Sequence, residues 1–247
     1  DTRGIVVFNN YVYVTNGSTN KIVKINLNDI TDVFLNWASY EVQGIANTFG
    51  LAIDQDNNYL YVSNYTEFSY LSKIGLISPT DDFTTPWLGI DTDPLYLSGL
   101  QGLAIDNGYI YIANNNNYNV SKVSLSDPNN DYDQYFGGGD YPLPDRPGRL
   151  IAYNGYLYVG CGSFITRINL TDKTDYIQIW AGPTQGISNV FGLACYGNYI
   201  YVSNGFLGTI CKISLSNPTT DFNASWQKGI PNLNPIVASN DGTLYIA

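Results

Sequence analysis

Residues 50–64 read GLAIDQDNNYLYVSN, and close copies begin at residues 102 (GLAIDNGYIYIAN) and 192 (GLACYGNYIYVSN). Looser copies occupy 4–16 (GIVVFNNYVYVTN), 149–161 (RLIAYNGYLYVGC) and 235–247 (PIVASNDGTLYIA), spaced by roughly 43–52 residues. Such repetition constrains the fold more than composition does. Each copy must take the same local shape and bury its faces against its neighbours. Each copy reads as two strands around a turn of Asp, Asn and Gly. In the copy at 50–64, Tyr59 and Tyr61 share one face while Leu60 and Val62 share the other, by the period of two.

Every complete copy continues into a third strand and a second turn: KINLNDITDV, KIGLISPTDDF, KVSLSDPNNDY, RINLTDKTDY and KISLSNPTTDF. A cation recurs at Lys24, Lys73, Lys122, Arg167 and Lys212, and an aspartate at Asp32, Asp82, Asp131, Asp175 and Asp221. We expect that aspartate to cap its turn, with ion pairing to the recurrent cation as the alternative. Pro79, Pro128 and Pro218 suit a turn, where a fixed φ helps and no N–H is needed. A fourth strand follows, with an aromatic at a fixed position: Trp37, Trp87, Phe136, Trp180 and Trp226. All four tryptophans therefore read as packing residues, not a ligand cage.

Four short strands per unit predict an all-β chain, a β-propeller of four-stranded antiparallel blades. We expect six blades, with seven as the alternative, in a single domain spanning residues 1–247. The blades run over about 4–49, 50–101, 102–148, 149–191 and 192–234, with an incomplete last blade at 235–247. The start at Asp1 without Met, and a final unit that stops after two strands, point to a piece of a longer protein.

The motifs GLAID, YVTN (13–16) and YVSN (61–64 and 201–204) resemble the NHL and YVTN classes of propeller repeat. That resemblance spans essentially the whole chain. It implies a surface-layer-like propeller, since YVTN-type repeats are associated with microbial surface proteins. It also sets aside two branches of similar repeats. Zinc-dependent lyases need histidines, and this chain has none. RNA-binding members use a basic face.

Composition bounds the function. The net charge of −10 argues against a nucleic-acid partner, because counterion release needs clustered Lys and Arg. No apolar run is long enough for a membrane-spanning helix, so no membrane insertion is expected. Without His there is no Ser–His–Asp triad and no usual base for a cysteine nucleophile. Glu41 and Glu67, the two glutamates, read as solvated loop charges and not axial ligands. No catalytic or cofactor-binding residue is assigned.

Three weaker features remain. Asp54, Asp56 and Asn58 alternate as in the start of many calcium loops, but they lie where a hairpin must turn, and no cofactor is expected beyond that weak calcium signal. Sequons at Asn16, Asn64, Asn119, Asn169 and Asn223 are candidate acceptors of N-linked glycans. Cys161, Cys195 and Cys211 are an odd set. Buried free thiols are the main expectation, with a Cys161–Cys195 bridge as the alternative.

Variable segments join one blade to the next, and function on a repeat scaffold concentrates on such loops. In 137–148, GGGDYPLPDRPG, Asp140, Tyr141, Asp145 and Arg146 are candidate contact residues, against the alternative of a tolerated insertion. Together these features predict a non-enzymatic, extracellular or surface-exposed structural or interaction module of a cell, particle or filament. Its partners would be other proteins or copies of itself. The alternatives are a secreted enzyme similar to SMP-30 or strictosidine synthase with an axial-channel site, and a propeller that binds a small ligand.

Overall fold

The computed structural model describes residues 2–89, 97–231 and 233–247. Residues 90–96, part of the segment that joins blade 2 to blade 3, lie outside the described residues. Blade 1 comprises Thr2–Phe8, Tyr11–Asn16, Lys21–Asn26 and Val33–Ser39; blade 2 comprises Thr48–Asp54, Tyr59–Asn64, Tyr70–Gly75 and Phe83–Gly89. Blade 3 comprises Leu100–Asp106, Tyr109–Asn114, Asn119–Ser124 and Tyr132–Gly137. Blade 4 comprises Pro147–Tyr153, Tyr156–Cys161, Phe164–Asn169 and Tyr176–Ala181; blade 5 comprises Val190–Tyr196, Tyr199–Asn204, Thr209–Ser214 and Phe222–Lys228. Each is an antiparallel meander with its strands in chain order.

The blade count corrects the expectation of six or seven. Five four-stranded blades form the ring, and residues after 235 form only a small sheet of Ile236–Ala238 and Leu244–Ile246. That sheet sits between the inner strands of blades 5 and 1. The sequence 235–247 carries the first-hairpin pattern, which suggested a further blade.

The two faces of each blade do different work. The tyrosine face of blade 1 (Tyr13, Trp37) packs on the aliphatic face of blade 2 (Leu60, Val62, Ile74). Tyr61 of blade 2 meets Ile110 and Ile112 of blade 3, and Tyr111 of blade 3 meets Leu157 and Val159 of blade 4. Tyr158 and Trp180 of blade 4 meet Ile200 and Val202 of blade 5, and Tyr201 closes on Leu233 and Ile236. Burying such aliphatic side chains contributes about 1.5–3 kcal/mol each. These seams hold the ring together.

Within each blade the central tyrosine meets a fourth-strand aromatic with centroids 4.9–5.3 Å apart, edge to face in blades 1–4 and tilted in blade 5. In blade 3 that partner is Tyr135, not Phe136. Lys24 pairs with Phe34 and Ile22 with Ala38 in blade 1, whereas Lys122 pairs with Asp133 and Val120 with Phe136 in blade 3. The bulge of blade 3 is one residue shorter. Phe136 packs beside Tyr135 in the same seam, on Tyr176 of blade 4, 5.0 Å between centroids.

The recurrent cation sits over the ring of the first tyrosine of the second strand, 3.8–4.4 Å from its centroid. The recurrent aspartate accepts a third-strand N–H on its backbone carbonyl in every blade. Its carboxylate accepts the Tyr59, Tyr109 or Tyr199 hydroxyl in the proline-turn blades. It accepts the Asn26 or Asn169 amide in the other two.

Glutamines clamp two seams. Ser39 N–H donates to Gln43 Oε1 (2.8 Å), and Gln43 Nε2 donates to the Pro79 carbonyl of blade 2 (2.8 Å). Gln185 repeats this between Gly182 and Pro218.

Candidate functional site at the mouth of the axial channel

Four inner strands enter the ring through a glycine: Gly4, Gly50, Gly102 and Gly192. A Cβ at Gly50 would collide with the Gln101 carbonyl oxygen of the next blade, and one at Gly192 would lie 2.7 Å from Ile236 N. The close approach of adjacent inner strands therefore requires the missing side chain. Blade 4 departs from this rule. Leu150 pairs with Val159 as Leu193 pairs with Val202, so Arg149 stands where Gly192 stands. Opposite Arg149 is Gly160, where blade 5 has Ser203. The small residue of this pair is therefore on the second strand, where a Cβ would lie 2.6 Å from Val190 Cγ1 of blade 5.

Arg149 reaches across the axis. Its Nε donates to the Phe191 carbonyl of blade 5 (2.6 Å) and its Nη1 to the Gly148 carbonyl (3.1 Å). Its guanidinium lies 4.8 Å from the centroid of Phe49 of blade 2, and the Arg3 guanidinium lies 5.1 Å from the same ring. Arg3 Nη1 donates to Asn47 Oδ1 (2.6 Å). Desolvation and then the Arg3 charge lower the Arg149 pKa to about 10. It therefore remains a cation at neutral pH.

Arg3, Asn47, Phe49, Gln101, Arg149 and Phe191 line a mouth of about 440 Å³, within the usual size of small-molecule sites. Phe49 stacks against Tyr65 (6.0 Å), and Phe191 against the exposed Phe206 (5.4 Å). The channel beyond, between entry glycines and inner-strand leucines, holds only about 60 Å³, room for roughly two waters. Among the described residues no carboxylate lines the mouth or the channel. The site offers permanent cations, amides and ring faces.

The residues singled out from the sequence lie elsewhere. Asp54 is buried and caps its own turn, accepting the Asn57 backbone N–H (3.2 Å) and Nδ2 (2.8 Å). Asp56 is exposed, and Asn58 takes the left-handed backbone (φ 59°) that suits a turn. Among the described residues no three His, Cys, Asp or Glu side chains gather to hold a metal. Glu41 and Glu67 are exposed and outside the mouth. Of the segment 137–148, Tyr141 is a packing residue against Phe136 and Tyr176, while Asp140 and Asp145 are exposed. Arg146 is also exposed and donates from Nε to the Tyr118 hydroxyl (2.8 Å).

Asn64 is fully buried, with Nδ2 donating inward to Ser72 Oγ (2.9 Å) and Oδ1 accepting the Ala46 N–H (2.8 Å). Asn119 is buried too; Asn16 and Asn169 are half-buried, and Asn223 is exposed. The bridge considered for Cys161 and Cys195 is corrected: both are free and buried, in different interblade cores, as is Cys211. Burial pushes the Cys161 thiol up to about 12 and raises Cys195 and Cys211 as well, so none is a nucleophile.

No family model matches the chain, and no curated protein does. Solved structures do match. A protein of unknown function from Bacteroides thetaiotaomicron VPI-5482 is similar at a TM-score of 0.73 and 14% identity. The match covers 100% of this chain and 66% of that one, so this chain spans just under two thirds of that relative. A chain of a nidogen/laminin complex is similar at a TM-score of 0.74 and 16% identity, over 93% of this chain and 82% of that one. At such identities the likeness establishes the β-propeller fold alone.

Proposed function

We propose that this chain is a non-enzymatic interaction propeller of the extracellular or surface-exposed kind, and that the face around the axial mouth is where it binds. The observation that carries this reading is the chemistry of the mouth. Guanidinium groups, amides and phenyl rings recognise and orient a partner, but none of them exchanges a proton near neutral pH as a general acid or base must. The resemblance of the YVTN and YVSN segments to surface-layer repeats supports the location, and the neighbour from a nidogen/laminin complex is itself part of a protein–protein assembly. The partners on this reading are other proteins or copies of the chain, with Asn223 the most open glycan acceptor.

The test is an assay of ester and lactone hydrolysis with calcium or zinc added. The expected rate equals that of buffer. Turnover that disappears on substituting a mouth residue would overturn the reading in favour of an axial-channel enzyme.

A further inference from the structure

We infer that the axial mouth is a binding site for a small organic anion, a carboxylate or phosphate head on an aromatic or apolar body, with Arg149 as its principal anchor. This rests on the reading of the mouth face as the binding face and names what that face takes.

The first support is the departure from the repeat. At the position of Arg149 the neighbouring blades have glycine, because the inner strands crowd the axis. Blade 4 instead has a long cation there, paired with Gly160 of its second strand. A Cβ at Gly160 would lie 2.6 Å from Val190 Cγ1, so that glycine admits the inner strand of blade 5 beside Arg149. The five other cations of the blade repeat lie over tyrosine rings of their own blade. Arg149 instead crosses to blades 2 and 5.

The second support is electrostatic. Arg149 makes its hydrogen bonds to backbone carbonyls and has no carboxylate partner among the described residues. It lies within reach of the Arg3 charge, on a ring that both guanidiniums approach. Beyond the Phe191 and Gly148 carbonyls the planar fork of Arg149 has further N–H groups, and an oxyanion matches both their geometry and their charge. In a chain of net charge −10, this juxtaposition stands against the overall field.

The third support is the apolar wall. Phe49 and Phe191 line the mouth, each backed by a second ring, so an aromatic or apolar body is covered while its head meets Arg149. A mouth of about 440 Å³ suits one such molecule. The narrow channel beyond stops it from passing through.

Calorimetric titration with benzoate, phenyl phosphate, inorganic phosphate and benzyl alcohol tests this. Benzoate or phenyl phosphate is expected to bind at least tenfold more tightly than inorganic phosphate or benzyl alcohol, and the better of the two identifies the head. Arg149→Gln is expected to weaken that binding more than tenfold. The substitution Arg149→Gly gives blade 4 the entry glycine of blades 3 and 5 and leaves Gly160 in place against Val190. It is expected to keep the fold, read by circular dichroism and thermal midpoint, while losing the binding. Equal affinity for benzyl alcohol, inorganic phosphate binding as well as its phenyl ester, no binding by any probe, or binding unchanged in Arg149→Gly would overturn the proposal. None of those results creates hydrolytic turnover, so the wider reading is tested separately.

Discussion

The two ends of the ring differ in how far they obey the repeat. At the end where the first hairpins turn, every blade presents one arrangement: a cation over a tyrosine ring and an aspartate closing the second turn. Most of the chain's aspartates, Asp54, Asp82, Asp131 and Asp221 among them, lie at this end or beside it. At the mouth end, successive inner strands enter with different residues: Arg3, Phe49, Gln101, Arg149 and Phe191. Repetition marks what the scaffold needs, because each blade solves the same packing problem. Departure from repetition marks what the scaffold does not need, and there function has room.

Substitutions break or sharpen this contrast in order of size. Trp180, buried against Tyr158 in the seam between blades 4 and 5, belongs to the scaffold. Trp180→Ala is expected to lower stability by about 3–5 kcal/mol in urea unfolding, with ligand affinity of the folded fraction unchanged. A loss under 1 kcal/mol would mean the seams are not the main support. Gln43→Ala removes the clamp on Ser39 and Pro79 and strands a buried N–H, at about 1–3 kcal/mol. Its effect should match that of Gln185→Ala, since both glutamines make the same two bonds.

Lys122→Ala removes a cation from the Tyr109 ring at 4.0 Å, and about 0.5–1 kcal/mol is expected at this partly exposed site. The thermal midpoint reads this loss, and Lys122→Arg should recover most of it. The smallest effect is that of pH between about 6 and 8. Burial raises Cys161 from 9.0 to about 12, so the folded state favours the protonated thiol. That contribution is complete below the unfolded value and is lost as pH rises through the folded one. Urea midpoints should therefore be flat near neutrality and fall above pH 9, with Tyr13, raised to about 12, adding to the fall at higher pH. Rapid alkylation of all three cysteines at neutral pH would contradict their burial.

Much of the scaffold was legible in the sequence because each blade prints its pattern again. The strand pairs, the alternation of Tyr59 and Tyr61 with Leu60 and Val62, and the tryptophan position follow from spacing alone. The blade count was less legible, because 235–247 repeats a hairpin and not a blade. Tyr135 was hidden by a bulge one residue shorter, which spacing does not reveal. Asn64 reads as a surface acceptor because Asn–Tyr–Thr is a sequon, yet its amide serves the exit of a buried strand. The glutamine clamps left a signal in the shared Gln–Gly–Ile of 43–45 and 185–187. Arg149 also left one: RLI at 149–151 where blades 2, 3 and 5 have GLA, and VGC at 159–161 where blades 2 and 5 have VSN. A lone arginine at a strand end reads as solvated until the closed ring shows that its side faces the axis.

The most direct measurement is anomalous diffraction from crystals of the protein soaked with 4-iodobenzoate. We predict an iodine peak at the axial mouth beside Phe49 and Phe191, with the carboxylate in hydrogen-bond reach of Arg149. An empty mouth, with iodine only on the aspartate-rich end or in lattice gaps, would contradict the division of the ring into a repeated scaffold end and a binding end.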